Sequence, residues 1–486
     1  METLSNAALG SLPAGVARPL YERAALPLRV VHFGAGAFFR SHLAIYLDRL
    51  AGLGNEPWGV LAVSLRSPGI NRSLVPQDNL YTVVEQSTTP EHVQVVGSVV
   101  SSVSLPDDPQ QVCDALVQPQ VALVSMTLTD QGYCYDTEGE CLNRALPEID
   151  LDIKSPAQPR SALGVLALAI ARRKQLDLKP FTLLSCDRMP ANGKVLQRVL
   201  EHYIEQVQET LGDPDLLAYF LDQYACPCTL VDRRARAATD DEALQVQHIL
   251  GVRDDAAVMA EPYSLFVVQD WFCNDRPEWK EAGVIVTTHV APYEKLQYRL
   301  HDAGFLMAAC LGRMQGCQTL HEAMAVPSIR LSVAALMADA AVTLDKHPEF
   351  DWEAYRDIWL ERFANPWLNV SLADLLQDAS QRLSWVVSPA VADRLKHGLP
   401  VLQHARLVAA WLHHVMQGAV PGGPVLHDRR AALLRECVLD AGGAGAGAAQ
   451  VVDNVLSQAS LFGPAGQDKA FRLEVASALQ AMLQAA

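Results

Sequence analysis

A chain of 486 residues with a formal net charge of −16 is too long for one small core, and too acidic to have nucleic acid or an anionic membrane as its main partner. Hydrophobic residues make up 50% and charged residues 19%, a globular and rather apolar balance; at roughly 150 residues per domain, two large domains fit. The ten cysteines are scattered without a CxxC, only Cys226-Pro227-Cys228, so reduced thiols are expected rather than a disulfide framework or a zinc site.

The N-terminal METLSNAALGSLPAGVARPL lacks a basic head followed by an apolar run, and the longest apolar stretch, 162–171, is far short of a bilayer span. No signal peptide, no membrane partner and a cytoplasmic location are expected. Residues 1–27, with Pro13, Pro19 and Pro27, read as a leader draped over the surface. The run LRVVHF then enters Gly34-Ala35-Gly36 and leaves through a helical pattern at Phe38, Leu43, Tyr46 and Leu47. Strand, glycine turn, helix is how a dinucleotide-binding βαβ unit begins. Gly34 permits the tight turn, Gly36 lets the backbone approach a pyrophosphate, and the N–H groups of the helix face the phosphates. The third glycine slot of the generic spacing is Phe39, and GxG also occurs in ordinary turns, so the pattern alone leaves a nucleotide site and a structural turn both standing.

Residues 58–66 read as a second parallel strand, and 80–86 with 92–100 as an antiparallel pair. Residues 121–130 form a buried strand with a polar end, and Gly132-Tyr133 turns the chain. An amphipathic helix over 161–174 precedes a buried strand at 181–187, which leads through Pro190-Ala191-Asn192-Gly193 into a helix. Runs at 229–233 and 283–290 add strands, and the alternation implies a mostly parallel sheet covered on both faces. Beyond Tyr293, 3.6-residue patterns take over at 300–314, 328–344, 351–363, 405–416 and 451–461. The expected fold class is α/β plus all-α: a Rossmann-like doubly wound sheet in 1–286, then an all-helical domain in 287–486.

Several pieces, in this order, resemble the long-chain polyol dehydrogenase family, the mannitol 2-dehydrogenase and fructuronate reductase type. They are HFGAGAFFRSH at 32–42, the SCD…NG run across 185–193, VDR at 231–233, Glu261-Pro262, ERFANP at 361–366 and SQR at 380–382. The family's glycine motif is GxGxFxR, so the resemblance implies cofactor-binding roles for Gly34, Gly36, Phe38 and Arg40. It further implies reversible hydride transfer between a secondary alcohol carbon and a nicotinamide. The substrate would be a sugar alcohol or sugar acid, mannitol/fructose or mannonate/fructuronate in type, with no metal, in a monomer. Segments 128–134 and 159–164 lean towards the fructuronate-reductase branch. After the second strand, Arg66-Ser67-Pro68-Gly69 offers no carboxylate to a ribose 2′-hydroxyl, and Arg66 suits a 2′-phosphate. NADP therefore stands beside NAD, the family default.

The chain departs from the family where the helical half begins. Family members carry a Lys, an Asn five residues later and a His three after that. Ungapped, PYEKLQYRLHDAGF puts Gln297, Asp302 and Phe305 in those slots. Gln297 cannot act as a base, an ionised Asp302 accepts but cannot donate, and Phe305 contributes only volume. On a wheel of about 100° per residue, His301 falls in the same sector. His301 with Asp302 beside it is then the candidate replacement acid/base, with Lys295 in reach if the helix starts later. The plainer reading makes His301 a surface or pocket-lining residue.

Asn192 and Asp232 match the family's substrate-contact positions, though Asn192 also reads as a turn residue and Asp232 as a partner of Arg233. Arg362 and Arg382 are the basic pair of the helical half, with Arg382 where the family usually has Lys. Their planar forks favour a carboxylate, hence an acidic sugar. The expected function is an NAD(P)-dependent polyol or uronate dehydrogenase. The altered triad raises the alternative of a non-catalytic relative that binds nucleotide or sugar.

Overall fold

The structure is a computed structural model that describes residues 2–54, 57–66, 69–87, 92–128, 132–136, 140–344, 351–420 and 422–485. It divides into two compact units, Met1–Ala291 and Pro292–Ala486.

The strands of the first unit are β1 (Leu28–Phe33), β2 (Gly59–Ser64), β3 (Tyr81–Glu85), β4 (His92–Val96), β5 (Val99–Ser104), β6 (Leu123–Met126), β7 (Tyr135–Asp136), β8 (Cys141–Leu142), β9 (Thr182–Ser185), β10 (Thr229–Asp232), β11 (Ala235–Ala237), β12 (Val258–Ala260), β13 (Leu265–Gln269) and β14 (Ile285–Thr287). The central sheet is parallel throughout, in the order β5-β2-β1-β6-β9. Its strands are near-continuous apolar runs because both faces are covered; every residue of β2, β6 and β9 is buried. The helix Ala162–Gln175 is buried along its whole length from Ala162 to Ala171, and Ser161 caps it by accepting from the Gly164 N–H at 3.0 Å.

Three expectations need correction here. The leader is not draped loosely: Leu4, Ala8, Leu12 and Val16 are buried in one cluster with Leu80, Val84, Val93 and Val95. They cover a face of the β11-β12-β3-β4 sheet that would otherwise be wet. The strand expected over 92–100 is two strands, antiparallel β4 and then β5, which joins the central sheet beside β2. The break falls at Gly97, where a Cβ would lie 2.6 Å from Pro19 and whose N–H donates to Asp48 at 2.7 Å. The runs at 229–233 and 283–290 form a separate three-stranded sheet, β10-β13-β14, in which β14 is only three residues long. Thr129 and Asp130, the expected polar end of β6, and Ser67-Pro68 lie outside the described residues.

The second unit is helical. Its central helix, Ala303–Met314, is buried from Ala303 to Gly312. The helices Pro327–Ala341 and Leu402–Ala419 pack on it, and the helix Lys469–Ala485 packs on Leu402–Ala419. Among the described residues no helix is long and apolar enough to cross a membrane.

Candidate active site

The glycine turn is held by geometry that tolerates nothing else. Gly34 has φ +106°, and a Cβ there would lie 2.2 Å from the Thr127 carbonyl oxygen. Its N–H donates to Val63 O at 2.8 Å, and its carbonyl accepts from the Gly36 N–H at 2.8 Å. Gly36 is different: it is the extended N-cap of α1 (Ala37–Ser41), and a Cβ there would meet nothing within 4 Å. Strain explains the first glycine. Open room in front of a helix start explains the second, and that room is what the pyrophosphate of a dinucleotide needs.

At the ends of β2 and β5, the paired residues Ser64 and Ser104 have hydroxyls that are buried without a hydrogen-bond partner among the described residues. The same holds for both amide atoms of Asn71, in the helix Gly69–Leu74 that packs on β5. Buried polar atoms left in this state ask for a polar ligand or water. Arg66 is exposed just past β2. The residues present therefore fit a dinucleotide, with the open glycine turn before α1 and, among the described residues, unpartnered buried polar atoms at the ends of β2 and β5. Sequence reasoning missed Ser64, Ser104 and Asn71, whose only signal is polarity at the ends of apolar strands.

One matched position is turned away from the glycine turn. The Arg40 guanidinium is buried, donates to Ala256 O and lies 5.3 Å over the Tyr81 ring. It ties α1 to the β3–β12 sheet rather than facing the turn. Phe38, half-buried, stacks on His42 at 4.9 Å. Asn192 is fully buried. Its amide nitrogen donates to Ser185 O, Asp187 O and Thr229 Oγ1 at 3.0–3.1 Å, and its oxygen accepts from the Thr229 N–H at 2.9 Å. An amide bonded in this way staples β9 to β10, the turn-residue role the sequence also offered for it. Asp232 is buried at the end of β10, while Arg233 bonds Glu85 at 2.6 Å, Ser41 O and Glu261 O. Asp187, of the SCD run, accepts from the Tyr133 hydroxyl at 2.8 Å and the Leu128 N–H at 2.7 Å.

In the second unit the segment that carries Gln297 and Asp302 holds a break in helix type. Gln297–Asp302 is a π-helix, so the 100° wheel that placed His301 does not apply; the wider turn inserts a residue and re-aims those that follow. Single π turns inside α-helices are frequent at functional sites. Gln297 is buried, and its amide nitrogen has no partner among the described residues. His301 is 1% exposed, not a surface residue, and its Nδ1 lies 2.9 Å from Asp302 Oδ1. Its ring packs 3.6 Å from Trp359 and 4.2 Å from Phe305, which stacks on Phe363 at 4.3 Å.

The Arg362 guanidinium lies 3.5 Å from the same Trp359 ring. Two groups that close to one centroid cannot share a face, so Trp359 is sandwiched between His301 and Arg362. Nothing in the sequence signals this plate, because Trp359 reads as one more apolar residue of a helix. Lys295 is drawn to Asp393, at 3.9 Å, which Arg299 also holds at 2.5 Å. Arg382 is half-buried and donates to the carbonyls of Leu375 and Gln377, near its own helix start.

Comparison with known proteins adds to this geometry. Residues 28–281 match the Mannitol dehydrogenase Rossmann domain family and residues 289–483 the Mannitol dehydrogenase C-terminal domain family. The D-mannonate oxidoreductase of Escherichia coli is 33% identical over 405 residues, 82% of this chain and 82% of that protein. The uncharacterized oxidoreductase YeiQ of Escherichia coli is 32% identical over 464 residues, 93% and 91% of the two chains. The Pseudomonas fluorescens mannitol 2-dehydrogenase, solved in a ternary complex with NAD and D-mannitol, superposes with a TM-score of 0.83 at 28% identity, covering 99% of this chain and 97% of that one. The chain belongs to the mannitol dehydrogenase family and is an NAD(P)-dependent oxidoreductase.

Proposed function

We propose that this oxidoreductase interconverts the secondary alcohol and ketone of a sugar acid of mannonate/fructuronate type, with His301 in place of the family's reacting residues. The observation that carries the reading is the His301–Asp302 contact of 2.9 Å, one ring away from Arg362. Asp302 holds Nδ1 and stabilises the imidazolium that forms when the ring takes the hydroxyl proton, so Nε2 carries the exchange. The aromatic rings around His301 exclude water, which strengthens every charge interaction there. The nicotinamide, when bound, supplies or accepts the hydride.

Arg362 and Arg382 are the proposed partners of the substrate carboxylate. Trp359 stacking presents the Arg362 fork in a fixed plane, and a planar fork matches a carboxylate better than a neutral polyol. The likeness to a D-mannonate oxidoreductase supports the acidic choice. Asp232, at a strand end, is a proposed polar contact to the sugar, and Lys295 a proposed source of positive charge beside the segment. Arg66 supports use of NADP as well as NAD. The enzyme is proposed to act in the cytoplasm as a monomer, as the family resemblance suggests.

The test is absorbance at the reduced-nicotinamide band with a panel of keto sugar acids, ketoses and polyols, using both cofactors. A keto sugar acid should be the preferred oxidant of the reduced cofactor. Cofactor binding without turnover of any panel member would instead support the non-catalytic reading that Gln297, Asp302 and Phe305 raise.

A further inference from the structure

His32 lies two residues before the glycine turn, on β1, and both nitrogens of its ring have partners. Its ring is 0% exposed, and burial pushes its pKa down to about 3, so it is neutral. Nδ1 is 2.8 Å from the hydroxyl of Ser125, its register partner on β6. Nε2 is 3.2 Å from Gly34 O and 3.1 Å from Thr127 Oγ1, and that hydroxyl itself donates to Gly34 O at 3.0 Å. Gly34 O can only accept, so the proton sits on Nε2 and Ser125 donates to Nδ1. The ring also stacks on Phe39 of α1 at 3.7 Å, with planes 11° apart. One neutral imidazole on the strand before the turn thus touches the neighbouring strand β6, the carbonyl inside the turn and the helix after it.

We infer that His32 is a positioning residue for the dinucleotide. It fixes the Gly34 carbonyl inward, so that the first N–H groups of α1, which have no intrahelical partner, face the phosphates without a reorganisation cost. The inference rests on the family's cofactor use and assigns a role to a residue that the glycine motif does not contain. Strand burial alone would have permitted Val or Ile at this position.

The test is equilibrium binding of NADH and NADPH, followed by quenching of protein fluorescence, with thermal melting of the same samples. His32→Phe keeps the ring stack and removes all three hydrogen bonds of the ring; it should raise Kd about tenfold or more, as the loss of one or two neutral hydrogen bonds at the turn would. His32→Gln, which restores a donor near the Nε2 position, should recover part of that loss. Thr127→Val, a smaller change, should weaken binding in the same direction and serves if His32→Phe does not fold. Val124→Ala on β6 is the packing control and should lower the melting temperature with Kd unchanged. A folded His32→Phe, or Thr127→Val in its place, with wild-type Kd would overturn the inference, as would an equal loss of affinity in Val124→Ala. Failure of the wild-type chain to bind either cofactor would instead remove the cofactor reading on which it rests.

Discussion

Two histidines, one in each unit, share burial and a close aromatic ring yet sit in opposite chemistry. His32 packs on Phe39 at 3.7 Å and His301 on Trp359 at 3.6 Å. His32 meets two hydroxyls and a carbonyl, with no carboxylate among these partners, and is held neutral. His301 meets the carboxylate of Asp302 at 2.9 Å in a π-helical turn. The charge of the partner, not burial, distinguishes the neutral strut at His32 from the proton carrier proposed at His301. The contrast also separates the two halves of the account. At the glycine motif backbone conformation shapes the site; around Gln297, Asp302 and Phe305, aromatic rings gather on one histidine.

The contrast can be broken most severely at the turn. Gly34→Ala should abolish cofactor binding or yield insoluble protein, since the Cβ would lie 2.2 Å from a backbone oxygen at φ +106°. Gly36→Ala, whose Cβ meets nothing, should melt within about 0.5 kcal/mol of wild type yet lose NADH affinity. If both variants behave alike in melting and titration, room at Gly36 is not reserved for a ligand. In the second unit, Trp359→Phe keeps a ring but weakens the plate between His301 and Arg362. It should raise KM for an acidic sugar roughly tenfold, with a smaller change for a neutral polyol, because Phe attracts a guanidinium less than Trp does.

A third, buried histidine sharpens the comparison of partners. His404 is 1% exposed, neither ring nitrogen has a hydrogen-bond partner among the described residues, and burial lowers its pKa to about 3. Its folded pKa lies below the unfolded value, so its stability contribution is complete above about pH 6.5 and falls as the pH drops towards 3. His404→Leu should flatten the acid side of the melting profile, by at most roughly 2 kcal/mol at pH 5. An unchanged profile would mean that the ring finds a partner in solution. The smallest effect is expected at the exposed Arg66. Arg66→Ala should weaken NADPH several-fold and leave NADH alone, read by titration of both; equal effects on the two would deny it the 2′-phosphate.

Much of the fold was legible because parallel strands buried on both faces write themselves as apolar runs, as in β1, β2 and β9, and because helix periodicity marks the second unit. The glycine pair was legible for the reason that makes it work: no other residue type adopts that turn at Gly34. What stayed hidden depended on partners distant in sequence. The leader, with its three prolines, reads as a segment draped over the surface, but Leu4, Ala8, Leu12 and Val16 are buried against residues of β3 and β4. Arg40 and Asn192 carried the right letters, but their side chains are consumed by Ala256 and by Thr229, far along the chain. The π turn was invisible because its residues are as compatible with an α-helix, and the Trp359 plate because a stacking ring and a packing ring share one letter.

The central claim, that His301 took over proton exchange, is tested most directly by comparing His301→Ala with the wild-type chain in two measurements. One is turnover of the best keto sugar acid, followed by loss of reduced nicotinamide; the other is equilibrium NADH binding. The account requires kcat to fall by about a hundredfold or more with NADH affinity unchanged. Full turnover in His301→Ala would contradict it, and would return His301 to the lining of an apolar core.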